Sequence, residues 1–291
     1  MTTTQSDNHV MVFEVGPRDG LQNEARLIPA TEKIALIDRL SQTGLRKVEA
    51  TSFVSPKWVP QMADAAGVMA GISRADGVTY SALTPNMRGY EAARASNVSE
   101  VAIFAAASET FARKNTNCSI AESFARFEPI LAAADRDGIA VRGYVSCVVV
   151  CPYEGAIAPA AVADVAARLI DAGCYEVSLG DTVGKGTPDT IAAMLEAVLI
   201  RVPATQLAGH YHDTNGRALE SITVSLDHGL RTFDAAVGGL GGCPYAPGAT
   251  GNVATEAVVE HLAASGFETG VDQAGLSDVS TFAKSLRGQA G

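Results

Sequence analysis

Two histidines separated by one residue, His210 and His212, lie at the end of the run LAGHYH. On a strand, residues i and i+2 point to the same side, so both imidazoles can converge on one cation. Four other stretches offer groups that would complete such a site. GPRDG carries Arg18 and Asp19, KVEATS carries Glu49, and SLGDTVG carries Asp181. The fourth, VGGLGGCPYAPGATGN at 237–252, has six glycines in sixteen positions, Cys243 between Gly242 and Pro244, and a terminal Asn252, with Glu256 just beyond. Glycine permits positive φ and close backbone approach at an entropic cost. A chain accepts that density more readily in a mobile or ligand-hugging loop than for packing.

Asp19, His210, His212 and Asn252 together offer oxygen and imidazole ligands without a thiolate. Such a set disfavours structural zinc and suits Mg²⁺ or Mn²⁺ with positions open to substrate oxygens. The imidazoles pull toward Mn²⁺ or Co²⁺, and the choice of ion stays open. The same residues have plainer uses. GPRDG is an ordinary turn sequence, and Arg18 can simply pair with Glu49 or Asp181. Asp213 and Thr214 suit a helix cap, and Glu256 suits a solvated first turn. Cys147 and Cys151 read as packing residues, and His9, His228 and His261 as surface positions.

The elements that must position these groups alternate regularly. Strand-like runs fall at 11–15, 47–52, 79–83, 100–106, 140–147, 175–180, 207–212 and 232–237. Between them lie Ala- and Leu-rich stretches of helical spacing such as VADVAARLIDAG and TIAAMLEAVLI. Glycines 44, 173, 229 and 266 stand where helices should stop. Eight such β/α units predict an α/β fold, a closed (β/α)₈ TIM barrel, with one extra C-terminal helix from about residue 272. GxGxxG does not follow the first strand, which weakens an open dinucleotide-binding sheet. The expected organisation is a disordered tail over 1–10 and one catalytic domain over 11–291. In barrels of this type active sites lie at the C-terminal ends of the strands, which would gather the groups above on one rim.

Composition narrows the class further. With 291 residues, 47% hydrophobic, the chain can bury a large core. A net charge of −10 argues against a nucleic-acid partner. No apolar run approaches the ~20 residues needed to span a bilayer, and MTTTQSDNHV has neither the apolar core of a signal peptide nor the basic character of a transit peptide. A soluble cytoplasmic protein without membrane partners is expected. The five cysteines show no disulfide or zinc-ribbon spacing.

Several segments carry more information than their spacing. VGPRDGLQNE, EATSFVSPKWVPQM, FAAASETFARKN, RGYVSCVVVCPYEG, SLGDTVGKGTP, GHYHDTNG and GLGGCPYAPGATGN together resemble the 3-hydroxy-3-methylglutaryl-CoA lyases, from about residue 11 to about 270. These are TIM-barrel metallolyases, in a superfamily that includes Claisen-condensing synthases. The GLGGCPY and SFVSPKWVPQM segments are specific to the lyases, whereas RDG and HxHD occur across the superfamily. The resemblance implies metal ligation by Asp19, His210, His212 and Asn252, with Mg²⁺ or Mn²⁺ as the ion. It implies Arg18 as charge stabiliser at the substrate carbonyl and Cys243 as catalytic thiol. Glu49, Asp181 and Glu256 match acidic residues of the family site. The implied reaction cleaves a carbon–carbon bond of 3-hydroxy-3-methylglutaryl-CoA to give acetyl-CoA and acetoacetate, chemistry of leucine catabolism and ketone-body formation. In that chemistry a base, His210 or Asp19, removes the proton of a polarised tertiary hydroxyl, and Cys243 protonates the expelled enolate. A homodimer is also implied.

There are departures from the pattern. Relatives often carry Lys soon after LQNE, where this chain has Ala25 and then Arg26. Arg26, Lys57, Arg113 or Lys114 are the candidates to hold the CoA phosphates instead. No cysteine follows Cys243, so a redox switch using a C-terminal cysteine is not expected. Competing readings are a lyase for a longer homologue, such as the isohexenyl-glutaryl-CoA of acyclic terpene breakdown, and a condensing enzyme. The latter usually carries a regulatory domain and lacks the Cys243 loop. A non-enzymatic metal- or CoA-binding protein is the alternative from another class.

Overall fold

In the computed structural model, eight parallel strands close into a barrel in sequence order. They are β1 (Met11–Glu14), β2 (Lys47–Ser52), β3 (Thr79–Leu83), β4 (Glu100–Ala106), β5 (Ala140–Ser146), β6 (Glu176–Asp181), β7 (Leu207–Tyr211) and β8 (Thr232–Ala235). The structure describes residues 8–243 and 246–287, by backbone only over 242–250. Closure is made by β1, which pairs with β8 through Met11 and Thr232 and with β2 through Phe13 and Lys47. The expected barrel is therefore found, with most strand ends within a residue of their sequence positions.

The outer ring is α1 (Ala30–Leu40), α2 (Ala65–Gly71), α3 (Met87–Ala95), α4 (Glu109–Thr116), α5 (Ile120–Asp137), α6 (Pro159–Asp171), α7 (Pro188–Leu199), α8 (Ala218–Asp227) and α9 (Thr255–Ala264). The extra C-terminal helix is α10 (Gln273–Leu286), whose cap residue Asp272 accepts from the Ala274 amide. In α6, Val162, Val165, Ala166 and Leu169 form one buried stripe at helical spacing. Helix α5 begins with a reciprocal box between Ser119 and Glu122 and ends at Gly138 with φ +66°. Of the tail expected over 1–10, Asn8 and Val10 hydrogen-bond Glu268 through their backbones; residues 1–7 lie outside those described. His9, His228 and His261, expected at the surface, are half-buried; the His228 ring bonds the Val224 carbonyl and that of His261 bonds Thr223.

The barrel interior is not the purely apolar filling usual in this fold. Arg142 of β5 is wholly buried between the rings of Phe13 and Tyr144, at 4.3 and 5.0 Å from their centroids. It donates to Glu176 at 2.7 Å and to Asp234 at 2.7 and 3.2 Å. At the strand starts, Lys47 donates to Glu100 and Tyr175 at 2.7 and 2.6 Å.

A second buried charge ties the last barrel unit to the first. Glu14, at the end of β1, accepts from the amides of Gly16 and Val237 at 2.7 and 3.0 Å and from Thr255 Oγ1 at 2.6 Å. Burial nonetheless outweighs these donors and raises its carboxyl to about 7. A raised folded-state value means that the native protein holds this proton after the unfolded chain has released it. Glu14 therefore contributes stability in its protonated form, and that contribution fades as pH rises from about 4.5 through about 7, by roughly 3 kcal/mol in all. Denaturant titrations of wild type and Glu14→Gln across this window should show the wild type losing stability relative to the variant as pH rises. Parallel curves would show that Glu14 does not titrate between the two states.

Candidate active site

At the C-terminal rim of the barrel, Asp19, His210 and His212 bring one ligand atom each within 4.8 Å of one another. Each arrives by a different local device. Asp19 sits in a π-type turn over Gly16–Gly20, where the amides of Arg18, Asp19 and Gly20 all turn back to the Val15 carbonyl. GPRDG, whose composition also suits an ordinary turn, forms a wider helical turn that carries Asp19. His210 lies on β7, and His212 follows it as an isolated bridge partner of Asn252. That bridge carries the chain end of the glycine loop to the histidines, and the Asn252 amide nitrogen donates to Asp19 Oδ2 at 2.8 Å. Its amide oxygen is the atom left to ligate a cation.

The electrostatics suit a divalent cation. Burial pushes the Asp19 carboxyl upward, but Arg18 and the two imidazoles outweigh it and hold it at about 2, an anion at neutral pH. Burial, with His210 beside it, lowers His212 to about 4. Burial also works against charge on His210, yet Asp234 and Asp19 raise it on balance. Its Nδ1 faces Asp234 Oδ2 at 3.1 Å, which turns Nε2 toward Asp19, 4.0 Å away. Nδ1 of His212 is buried with no hydrogen-bond partner among the described residues. A buried polar atom left unpaired beside two other ligand groups is what a metal site shows when described from its protein atoms alone.

The remaining sequence candidates divide. Arg18 joins the rim, donating to Glu49 and to Asp19 at 2.5 Å each; both of these carboxylates outweigh burial and keep its charge. Glu49 is fully buried, which raises its carboxyl against the pull of Arg18, and its Oε1 is unpaired among the described residues. Asp181 ends β6 and accepts the Gly186 amide at 2.6 Å, with Oδ1 unpaired among the described residues. Glu256 is not in the converging set; its carboxylate takes the Gly238 amide, Ser280 and Lys284. The backbone of Cys243 pairs with Ala246 in a short hairpin after β8; its side chain lies outside the described residues. The four candidate phosphate contacts are not drawn together. Arg26 pairs with Glu32, Lys57 lies over Trp58, Arg113 stands near Glu109, and Lys114 lies over Tyr153.

Sequence reading missed the layer beneath. Asp234 accepts from His210, from Ser178 at 2.7 Å and from Arg142, all buried. The signal was present: an acid in TFDAAV and an arginine in AVRGYVSC are charges inside strand runs, where charge is rarely buried without a partner.

The profile of the HMGL-like family matches residues 9–283. The chain belongs to that family. Curated members include the mitochondrial hydroxymethylglutaryl-CoA lyase of Bos taurus, 58% identical over 94% of this chain and 84% of the relative. The hydroxymethylglutaryl-CoA lyase of Pseudomonas mevalonii is 55% identical over 93% and 90%. The crystal structure of the HMG-CoA lyase from Brucella melitensis superposes with a TM-score of 0.95 at 62% identity, covering 96% of this chain and 99% of that one. An HMG-CoA lyase from Acinetobacter baumannii, solved with coenzyme A and 3-methylmalate, gives 0.91 at 36% identity over 98% and 93%.

Second-layer carboxylates fix the tautomer of a ligating histidine, and their loss typically weakens metal binding about 10- to 100-fold. Asp234→Asn should therefore lower Mn²⁺ affinity of the metal-stripped protein by that factor in titration calorimetry. Unchanged affinity would mean that His210 is oriented by other contacts.

Proposed function

We propose that this chain is a divalent-metal-dependent carbon–carbon lyase that cleaves 3-hydroxy-3-methylglutaryl-CoA to acetyl-CoA and acetoacetate. The observation that carries the reading is the Asp19–His210–His212 convergence beside Arg18, in a chain more than half identical to hydroxymethylglutaryl-CoA lyases over nearly its whole length. Mg²⁺ or Mn²⁺ fits the donor set, with Asn252 as the fourth protein ligand. Bound there, the cation supplies Lewis acidity at the substrate's tertiary hydroxyl.

The chain's own groups do the rest. A base at the rim takes the hydroxyl proton: Asp19 through a carboxylate oxygen, or His210, whose Nδ1 is engaged by Asp234, through Nε2 only where that nitrogen is not held by the cation. The electron pair then forms the ketone of acetoacetate, the adjacent carbon–carbon bond breaks, and its electrons pass to the thioester as an enolate. Arg18 stabilises the charge on the thioester oxygen, because Glu49 and Asp19 hold its guanidinium in one orientation at the mouth. Cys243 returns a proton to the enolate carbon, yielding acetyl-CoA. Glu49 and Asp181 serve as positioning groups for Arg18 and for the turn over Gly184–Gly186.

For the CoA end, Arg26 is the favoured phosphate contact. It falls in the stretch soon after LQNE where relatives often carry lysine, and its carbon chain reaches the end of α10, with Nη1 3.5 Å from the Leu286 carbonyl. Lys57 lies in the turn after β2, and Arg113 and Lys114 are neighbours in the last turn of α4. A homodimer in the cytoplasm is the assembly we propose. Among the described residues no helix is long and apolar enough to cross a membrane, and relatives named for both cytoplasm and mitochondrion are known.

Metal-stripped protein incubated with 3-hydroxy-3-methylglutaryl-CoA should form acetoacetate only after Mg²⁺ or Mn²⁺ is restored. No product from folded, metal-loaded protein would refute this substrate and move the reading to the longer isohexenyl homologue. Cys243→Ser should cut turnover about 100-fold or more while metal affinity changes little; full activity would remove the thiol from the mechanism. Arg26→Gln should raise KM several-fold with kcat nearly unchanged, whereas an unaltered KM would place the phosphates elsewhere.

A further inference from the structure

The root of the glycine loop is held by charged side chains from three separate elements. At the end of β8 the chain turns through Val237–Gly239, where Gly238 and Gly239 have φ of +67° and +61°. The Val237 amide donates to Glu14 Oε1 at 3.0 Å, and the next amide, Gly238, donates to Glu256 Oε2 at 2.9 Å. On the carbonyl side, the Arg287 guanidinium donates to Gly238 at 3.1 Å and also to the Gly239 carbonyl. Each of these fasteners is itself tied down. Glu14 is held by Thr255, Glu256 by Ser280 at 2.5 Å and Lys284 at 3.3 Å, and Arg287 faces Glu24 at 3.8 Å. Hydrogen bonds from backbone to ionised groups are roughly twice as strong as neutral ones. Two consecutive amides on two carboxyl groups, that of Glu256 ionised, and two consecutive carbonyls on one guanidinium make a far firmer anchor than a surface loop requires.

The far end of this root abuts the metal-binding residues. A Cβ placed on Gly20, next to Asp19, would lie 2.7 Å from Leu240 Cβ. The Leu240 carbonyl receives the Asn252 amide group at 3.4 Å, and the Gly251 amide closes onto the Gly241 carbonyl at 3.0 Å. Movement at Val237–Gly239 therefore passes directly to Asn252 and Asp19, and to the chain that continues to Cys243.

We infer that the C-terminal helix α10 is a positioning element of the catalytic centre: Arg287, with Ser280 and Lys284 acting through Glu256, locks the loop root that sets Asn252 and the Cys243 segment. None of these side chains touches the reacting atoms. Their role is to remove freedom from a run of glycines that would otherwise leave the site loosely placed. Misplacement by about 1 Å costs up to about 100-fold in rate, so a charged anchor at the root has a kinetic purpose that packing alone does not.

The test is Arg287→Ala beside Arg287→Lys. Arg287 is 38% exposed, so its removal leaves no deeply buried hole. In the alanine variant kcat should fall about tenfold, with KM and Mn²⁺ affinity within about twofold of wild type and Tm shifted by less than about 3 °C. Hydrogen exchange at the Gly239 and Gly241 amides should quicken while the barrel strands keep their protection. The lysine variant, which restores a cationic donor, should recover at least half the lost turnover. Should Arg287→Ala lower Tm broadly, Ser280→Ala removes one fastener of Glu256 more gently and is read the same way. Unchanged kcat, unchanged root exchange, or a kcat loss that only follows global destabilisation would each overturn the inference. It rests on the lyase reading for its kinetic arm alone. Inactive wild type would refute that reading, while the exchange measurement still decides the anchor.

Discussion

Everything at the barrel mouth rests on one buried carboxylate. Asp234 accepts from Arg142, Ser178 and His210, and neither it nor Arg142 has meaningful contact with water. Burial opposes its charge, but Arg142 and then His210 outweigh this and hold the carboxyl below its ordinary range. Such a pair need not add net stability, since desolvation offsets most of the attraction. Its consequence is orientational. With both oxygens of Asp234 occupied by fixed donors, His210 has one ring position available, and the nitrogen facing the rim is decided before any ligand arrives.

The site is then assembled from two kinds of support. Arg18, Glu49, Asp181 and His210 sit on strands or on the turn directly after one, so the barrel places them. Asn252 and Cys243 belong to a glycine-rich excursion that has no such frame. The charged anchor of Glu14, Glu256 and Arg287 supplies one from outside, using β1, α9 and α10. Cleavage and protonation make different demands on these two halves. In the mechanism proposed above, charge development at the thioester needs Arg18 in one orientation, and Glu49 and Asp19 both accept from its guanidinium. In the same mechanism, delivery of a proton to a carbon that changes shape during reaction would call for a group on a segment that can approach and withdraw.

Glu256 shows how an acidic residue near the barrel mouth can have its carboxylate engaged by the fold itself. Read from sequence, it matched a family site residue; in the fold its carboxylate is spent on the loop root and on α10. Glu14 was not singled out at all, because one acid inside an apolar strand of four residues has no spacing partner to mark it. Arg142 and Asp234 escaped for the same reason, although a charge within a strand run was itself a hint.

The amino-acid order alone determined the eight β/α units, the rim on which polar strand ends gather, and the shared side of His210 and His212. These follow from local periodicity: period two on a strand, 3.6 on a helix, and glycine where a helix must stop. Tertiary structure alone decided which buried charges meet. Arg142 and Asp234 are 92 residues apart and come into contact only because the barrel closes on itself. Nor could spacing show that Asp19 is carried by a π-type turn, that Asn252 bridges to His212, or that Arg287 returns to grip Gly238. A sequence pattern reports what neighbours along the chain can do together. Partners across the chain are chosen by closure, by burial and by the cost of leaving any buried charge alone.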